Sequence, residues 1–214
     1  MDEEITIIDT NTRNKKITDF FKKNKNKIII FFVTLLILLV GYLSYIEIKK
    51  KDKIRIAEEF NSIIQAFEKT EKEKSIDKLI KIIKQKDTTY SPLALYFLID
   101  NKLVENNSEI NILFDILIEE TNLEEEIKNL IIYKKALFNS SFEDESYLIN
   151  LLNPIINSES IWKSHALYLM GEYFFSKNQK TKAKEYFETI ISLENINQNI
   201  KIESQKRLNR DISE

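Results

Sequence analysis

An all-α fold is predicted for this chain by three features of its sequence: one uncharged apolar run, apolar residues recurring three and four apart almost everywhere else, and very few turn residues. Two glycines and two prolines among 214 residues are too few for the tight turns of a β-sandwich or a doubly wound α/β sheet, whereas helices need neither. Apolar side chains make up 43 % of the chain, enough to build a core. The abundance of Ile, Lys and Asn is also what an AT-rich genome would encode, which blunts any functional reading of those residues.

The apolar run is Ile28 to Ile46, IIIFFVTLLILLVGYLSYI. At about 1.5 Å per residue it reaches roughly 28 Å, close to the ~30 Å of a hydrocarbon core. A buried helix of that length ordinarily keeps a polar face, and Thr34 and Ser44 are too few to make one. Tyr42 and Tyr45 stand near its exit, where aromatic rings favour the water interface. The run is longer than the apolar part of a cleaved signal peptide, and Gly41-Tyr42-Leu43-Ser44 is a poor cleavage pattern, so a retained signal anchor is expected. The expected organisation is a basic tail over 1–27, a transmembrane anchor over 28–46 and a helical domain over 47–214.

Charge flanking the run sets its orientation. Seven cations precede it (Arg13, Lys15, Lys16, Lys22, Lys23, Lys25, Lys27) and five follow within an equal distance (Lys49, Lys50, Lys51, Lys53, Arg55). The positive-inside rule then leaves the N-terminus in the cytoplasm and carries the helical domain across the membrane. In the tail, Ile17, Phe20 and Phe21 share a helical face, which either rests on the inner leaflet or simply extends the anchor helix. The lysines from 49 to 53 read equally as contacts for anionic headgroups and as a plain membrane-stop flank.

Beyond the anchor, the stripe Ile56, Phe60, Ile63, Ile64 and Phe67 predicts that its helix continues to about Lys69. A helix after Ser75 has Ile76, Leu79, Ile80 and Ile83 on one side. Ser91-Pro92 reads as a helix start, opening a segment to about Val104. The stripe Ile110, Leu113, Phe114 and Leu117 follows Asn106-Asn107. Thr121-Asn122-Leu123-Glu124 fits a capping box, opening a helix with Ile127, Leu130, Ile131 and Leu137 on its apolar side. A loop over 139–142 leads to a helix through Leu148, Leu151 and Leu152, which Pro154 is expected to bend or end. Helices over 160–176 and 179–193 complete the series, followed by an amphipathic segment carrying Ile200, Ile202 and Leu208.

Eight helices of about 12–17 residues, paired through short links, with a terminal helix to cap them, recur at roughly 34 residues. That is the layout of a tetratricopeptide-like α-solenoid of about four hairpins, in which stacking buries faces that no hairpin buries alone. The segment LYLMGEYFFSKNQKTKAKEYFETI carries the sharpest motif. Leu167, Met170, Gly171, Phe174, Ala183 and Phe187 fall on the positions of one tetratricopeptide repeat, the small residues permitting close helix approach and the rings filling the gaps beside them. Ile190 replaces a small residue, Asn195 stands where proline is common, and Trp162 falls five residues too early for the repeat's tryptophan, which suits packing at a helix start.

On that motif, on Ser160 to Ile191 generally, and on the lead-in Phe20-Phe21-Lys22-Lys23, the layout from about residue 15 to 210 resembles the ancillary Sec-translocon subunit family. Its members join a short charged cytoplasmic tail and one anchor to periplasmic tetratricopeptide-like repeats. The resemblance implies a protein of the bacterial inner membrane that helps receive or hand over exported chains, beside translocon subunits and membrane-bound folding factors.

Catalytic chemistry has little to work with. No cysteine is present, His165 is the single histidine, and glycine occurs only at 41 and 171, so thiol catalysis, a histidine-rich metal site and a phosphate-cradling loop are excluded. The acidic groups at Glu58-Glu59, Glu119-Glu120 and Glu124-Glu125-Glu126 read as solvated helix faces, because neighbours along a helix diverge and no calcium-loop spacing occurs. His165 is expected to face a partner or solvent. Tyr96, Phe97, Tyr168, Tyr173 and Phe175 are expected mostly in the core, with a concave peptide groove as the other reading. A net charge of −2 gives no attraction for nucleic acid. The expectation is a non-enzymatic adaptor or chaperone-like protein, with no cofactor or metal, that binds proteins through its solenoid. A scaffold for a division or envelope-assembly complex is the alternative.

Overall fold

In a computed structural model, residues 10–67, 72–194 and 196–212 are described, and among them every regular element is a helix. They are α1 (Thr10–Ala66), α2 (Lys72–Lys84), α3 (Tyr90–Asp100), α4 (Asn107–Asp115), α5 (Glu125–Asn139), α6 (Glu145–Ile156), α7 (Lys163–Ser176), α8 (Lys180–Ser192) and α9 (Gln198–Arg207). Five-residue π-helical segments, Ile116–Glu120 and Leu208–Ile212, extend α4 and α9. The chain divides into two units, residues 1–55 and 56–214.

In the first unit, α1 is long and apolar enough to cross a membrane, and none of its apolar stretch is buried by protein. Ile30, Phe31, Ile37 and Leu38 are all exposed, the arrangement a lipid-facing helix requires. Its one internal threonine costs little, because Thr34 Oγ1 donates to the Ile30 carbonyl at 2.9 Å. Lys49 Nζ lies 4.9 Å from the Tyr45 ring centre at the end of the run. The helix ends at Ala66, and the expected limit at Lys69, like residues 1–9 of the tail, lies outside the described residues.

In the second unit, successive helices from α2 to α9 pack on one another, and α7 also touches α5 and α9. The alternate helices α3, α5, α7 and α9 begin at Tyr90, Glu125, Lys163 and Gln198, steps of 35, 38 and 35 residues. One core cluster joins Ile56 and Ile63 to α2, α3 and α4, and a second joins α6, α7 and α8. Between them α5 gives Ile131 to the first and Ile132 and Ala136 to the second. The helices run from 9 to 15 residues, shorter than the sequence suggests.

Three of these helices end without glycine. Lys86, Lys102 and Asn178 take φ of 57°, 50° and 59°, the left-handed conformation that turns the chain after α2, α3 and α7. After α3 the pattern is a Schellman motif: Lys102 N–H donates to the Ile99 carbonyl and Leu103 N–H to that of Leu98. The same pair of bonds, from Asn178 to Phe175 and from Gln179 to Phe174, closes the α7–α8 link. Asparagine tolerates this conformation better than lysine does. Lys102→Gly is therefore expected to stabilise the protein by about 0.5–1 kcal/mol after the entropy cost of glycine, a rise of a few degrees in thermal midpoint. A lowered midpoint would contradict the left-handed assignment.

Several boundaries differ from the sequence reading for identifiable reasons. Asp87 Oδ1, not Ser91, caps α3, accepting from the N–H groups of Thr89 and Tyr90, while buried Ser91 donates to the Ile82 carbonyl and ties α3 to α2. The expected end at Val104 moves back to Asp100. Thr121 caps nothing; its hydroxyl donates to the Ile116 carbonyl at the end of α4, and α5 starts at Glu125. Pro154 does not end α6, which continues to Ile156.

The apolar face assigned to α5 is rotated. Ile127 and Leu137 are exposed, and Asn129, Ile131, Ile132, Lys135, Ala136 and Asn139 point inward. Two polar members of that face have clear partners: Asn111 and Asn139 exchange amide hydrogen bonds of 2.9 and 2.8 Å, and Lys135 Nζ binds Asp115. Ile202 on α9 is likewise exposed, and Ser204 takes the buried place, donating to the Ile200 carbonyl. Near the C-terminus Arg207 grips Glu172 of α7 with two hydrogen bonds, 2.7 and 2.6 Å, and reaches Asp211 at 2.9 Å.

Candidate functional site

The six repeat-motif residues meet between α7 and α8. Leu167, Met170, Gly171 and Phe174 on α7 and Ala183 and Phe187 on α8 are all buried. A β-carbon added at Gly171 would lie 2.6 Å from Phe187 Cε1 and 2.8 Å from Cζ, so the ring occupies the space that glycine leaves open. Tyr168 packs against Phe187 with ring centres 5.5 Å apart, and Tyr186 stacks on Phe174 at 5.4 Å. These residues build a scaffold and offer nothing reactive to solvent.

The aromatic residues that the sequence left between core and groove are engaged inside the fold. Tyr173 is buried, Phe97 meets Phe67 edge-on at 5.1 Å, and Phe175 carries the Arg207 guanidinium 5.1 Å from its centre. Lys134 Nζ lies 4.2 Å over the Tyr96 ring, and burial pushes the Tyr96 hydroxyl pKa up to about 12. That hydroxyl is enclosed without a hydrogen-bond partner, beside a small cavity of about 160 Å³.

A larger opening lies elsewhere, a cleft of about 650 Å³ between the start of α7 and the link from α8 to α9. Ser160 shapes it by accepting from the Trp162 N–H and donating to Glu126 Oε2 of α5 at 2.8 Å, which fixes the first turn of α7. Trp162 stands at the helix start, as its position in the sequence suggests. It stacks on Tyr133 with ring centres 5.9 Å apart and meets His165 at 5.1 Å. Ile161 beside it is 69 % exposed, and Leu193 and Ile196 line the opposite wall.

Polar atoms in the cleft are left without partners. Lys163 N–H donates to the Ser160 carbonyl, but no side chain caps α7, and the next N–H groups, of Ser164 and His165, have no intrahelical acceptor. Ser164 is 2 % exposed and its Oγ has no hydrogen-bond partner. A buried hydroxyl left unmatched costs about 1–3 kcal/mol, so such atoms need an explanation. The sequence singled out Trp162 and His165 separately and missed Ser164, Leu193 and Ile196. The only signal was two serines four residues apart flanking a tryptophan in SIWKS.

His165 is half-buried against Tyr133 and Trp162 and lines the cleft. Burial lowers its pKa below the ordinary value of 6.5, opposed in part by the Ile161 carbonyl. A lowered folded-state pKa means that the unfolded chain binds more protons between that value and 6.5. Stability is therefore full above about pH 6.5 and declines as pH falls toward the folded-state pKa. With one histidine in the chain, the thermal midpoint should fall between pH 7 and 5.5, and His165→Gln should flatten that slope. An unchanged slope in the variant would refute the assignment.

Among the described residues no three His, Cys, Asp or Glu side chains gather as a metal site. No protein-family model, characterised protein or solved structure matches the chain at a significant level. The class defined by the coordinates is therefore an all-helical protein with one N-terminal helix long and apolar enough to span a membrane.

Proposed function

We propose that this protein is a membrane-tethered, non-enzymatic adaptor that binds other proteins through a tetratricopeptide-like solenoid at the periplasmic face of a bacterial inner membrane. The observation that carries the reading is the pairing of an apolar helical stretch with no protein around it and a separate stack of short helices. Alternate helices beginning 35–38 residues apart support stacked hairpins of tetratricopeptide length. So does the packing of Gly171 against Phe187 within the one good repeat motif. Seven cations before the anchor against five after it support a cytoplasmic tail and a periplasmic solenoid. The layout's resemblance to ancillary Sec-translocon subunits points to exported chains and translocon subunits as partners.

The test is photocrosslinking in living cells from exposed positions on the helical unit, such as Leu93 on α3, Ile112 on α4 and Leu137 on α5. A reporter at the C-terminus is read in the same strain. Translocon subunits or exported polypeptides in the crosslinks, with a periplasmic reporter, are the expected result. Division or wall-assembly proteins in their place would overturn the translocon assignment in favour of an envelope scaffold. A cytoplasmic reporter would overturn the orientation.

A further inference from the structure

We infer that the cleft at the start of α7 is a peptide site, taking an extended segment in which a bulky apolar side chain is followed within two residues by lysine or arginine. The inference rests on the protein-binding reading and deepens it by assigning where and what the unit binds.

Three chemical demands of the cleft converge on that ligand. Its walls are apolar, exposed at Ile161 and half-buried at Trp162 on one side and at Leu193 and Ile196 on the other, and such a slot gains by burying an aliphatic or aromatic side chain. At its base, Ser164 Oγ is enclosed without a partner, and the uncapped first turn of α7 adds N–H donors beside it. Those groups call for an acceptor, which a peptide carbonyl supplies at every residue. The two lining links each contribute an exposed carboxylate, Glu159 and Glu194, against Lys163 among the described lining residues, while the nearby Lys201 Nζ is held 3.4 Å from the Leu193 carbonyl. A negative rim repels a free carboxylate or phosphate and favours a cationic side chain at the mouth. Volume agrees: about 650 Å³ accommodates a few residues and far exceeds one amino acid.

Ser164 separates a binding role from a structural one. A buried hydroxyl without a partner destabilises the free protein, so Ser164→Ala should leave thermal stability unchanged or raise it. The same substitution removes the hydrogen bond to the peptide and should weaken binding about three- to tenfold.

Trp162 is the single tryptophan, so intrinsic fluorescence reports occupancy of the cleft. The full chain in nanodiscs is titrated with the capped peptide acetyl-Ala-Leu-Lys-Ala-amide, and with versions carrying glutamate for lysine or serine for leucine. A saturable change with the first peptide is expected, with at least about tenfold weaker binding of the other two. Glu194→Lys should reverse the preference between the lysine and glutamate peptides. No saturable response, equal binding of the glutamate peptide, or a Ser164→Ala variant that binds like the native chain would overturn the proposal. Crosslinking from Ile161 and Ile112 tells the two readings apart. Capture at Ile112 but not at Ile161 leaves protein binding standing and removes this site, whereas silence at both removes both.

Discussion

Gly171→Ala is expected to destabilise the helical unit by about 1–2 kcal/mol, although alanine is the better helix former. Helix propensity alone would stabilise by about 1 kcal/mol. Against it stands the Phe187 ring, wholly buried, whose Cε1 and Cζ lie 2.6 and 2.8 Å from where the new methyl would sit. The ring has nowhere to swing, because Tyr168 packs against it and Ala183, one turn back on α8, is buried as well. Overpacking of this kind costs about 1–3 kcal/mol in a dense core and exceeds the propensity gain. For a unit of this size the thermal midpoint should fall by roughly 3–8 °C in a helical circular-dichroism melt, and Gly171→Leu should fall further. Phe187→Leu makes room at the same point. The double variant Gly171→Ala, Phe187→Leu should thus be more stable than the sum of the two single effects allows, by about 1 kcal/mol. Simple additivity, or an alanine variant that melts higher, would show that α7 and α8 do not meet there.

That contact was legible in the sequence because its physics is local: a small residue and a ring at fixed spacing across one short link. The stripe Ile110, Leu113, Phe114 and Leu117 was legible for a similar reason, since all four apolar residues go inward and no polar residue competes. On α5 the same reasoning failed. Asn139 lies 28 residues from Asn111 and Lys135 lies 20 from Asp115, so no pattern within the helix announces that its polar face will find partners and turn inward. Ser91 and Thr121 failed in a related way. Each hydroxyl has a cap-like sequence context, but a carbonyl of the preceding helix competed for it and won. The cleft was the least legible feature. It exists because residues near 160 and near 195 come together, and Ser164 looks like any helix serine until its surroundings leave the hydroxyl without a partner.

Arginine at both Ile37 and Val40 should release the protein from the membrane fraction. Each lies within the apolar run and is exposed along α1, so neither substitution disturbs protein packing in that unit. An arginine near the centre of a span costs about 2.5–3.5 kcal/mol on insertion scales, whereas each isoleucine or valine it replaces contributes about −0.3 to −0.6. The pair therefore shifts insertion by roughly 6–8 kcal/mol, comparable to the whole driving force of nineteen mostly apolar residues. One arginine alone is expected to leave partial insertion, because its side chain can reach toward the nearer headgroups. Lys50→Arg, in the flank, is expected to do nothing. Carbonate extraction reads the outcome: the native chain and the flank variant stay in the pellet, and the double variant moves to the supernatant. If the double variant stayed in the pellet while its helical unit kept its native melt, something other than residues 28–46 would hold this protein at the membrane. The tether at the base of the proposed function would then have to be found in another part of the chain.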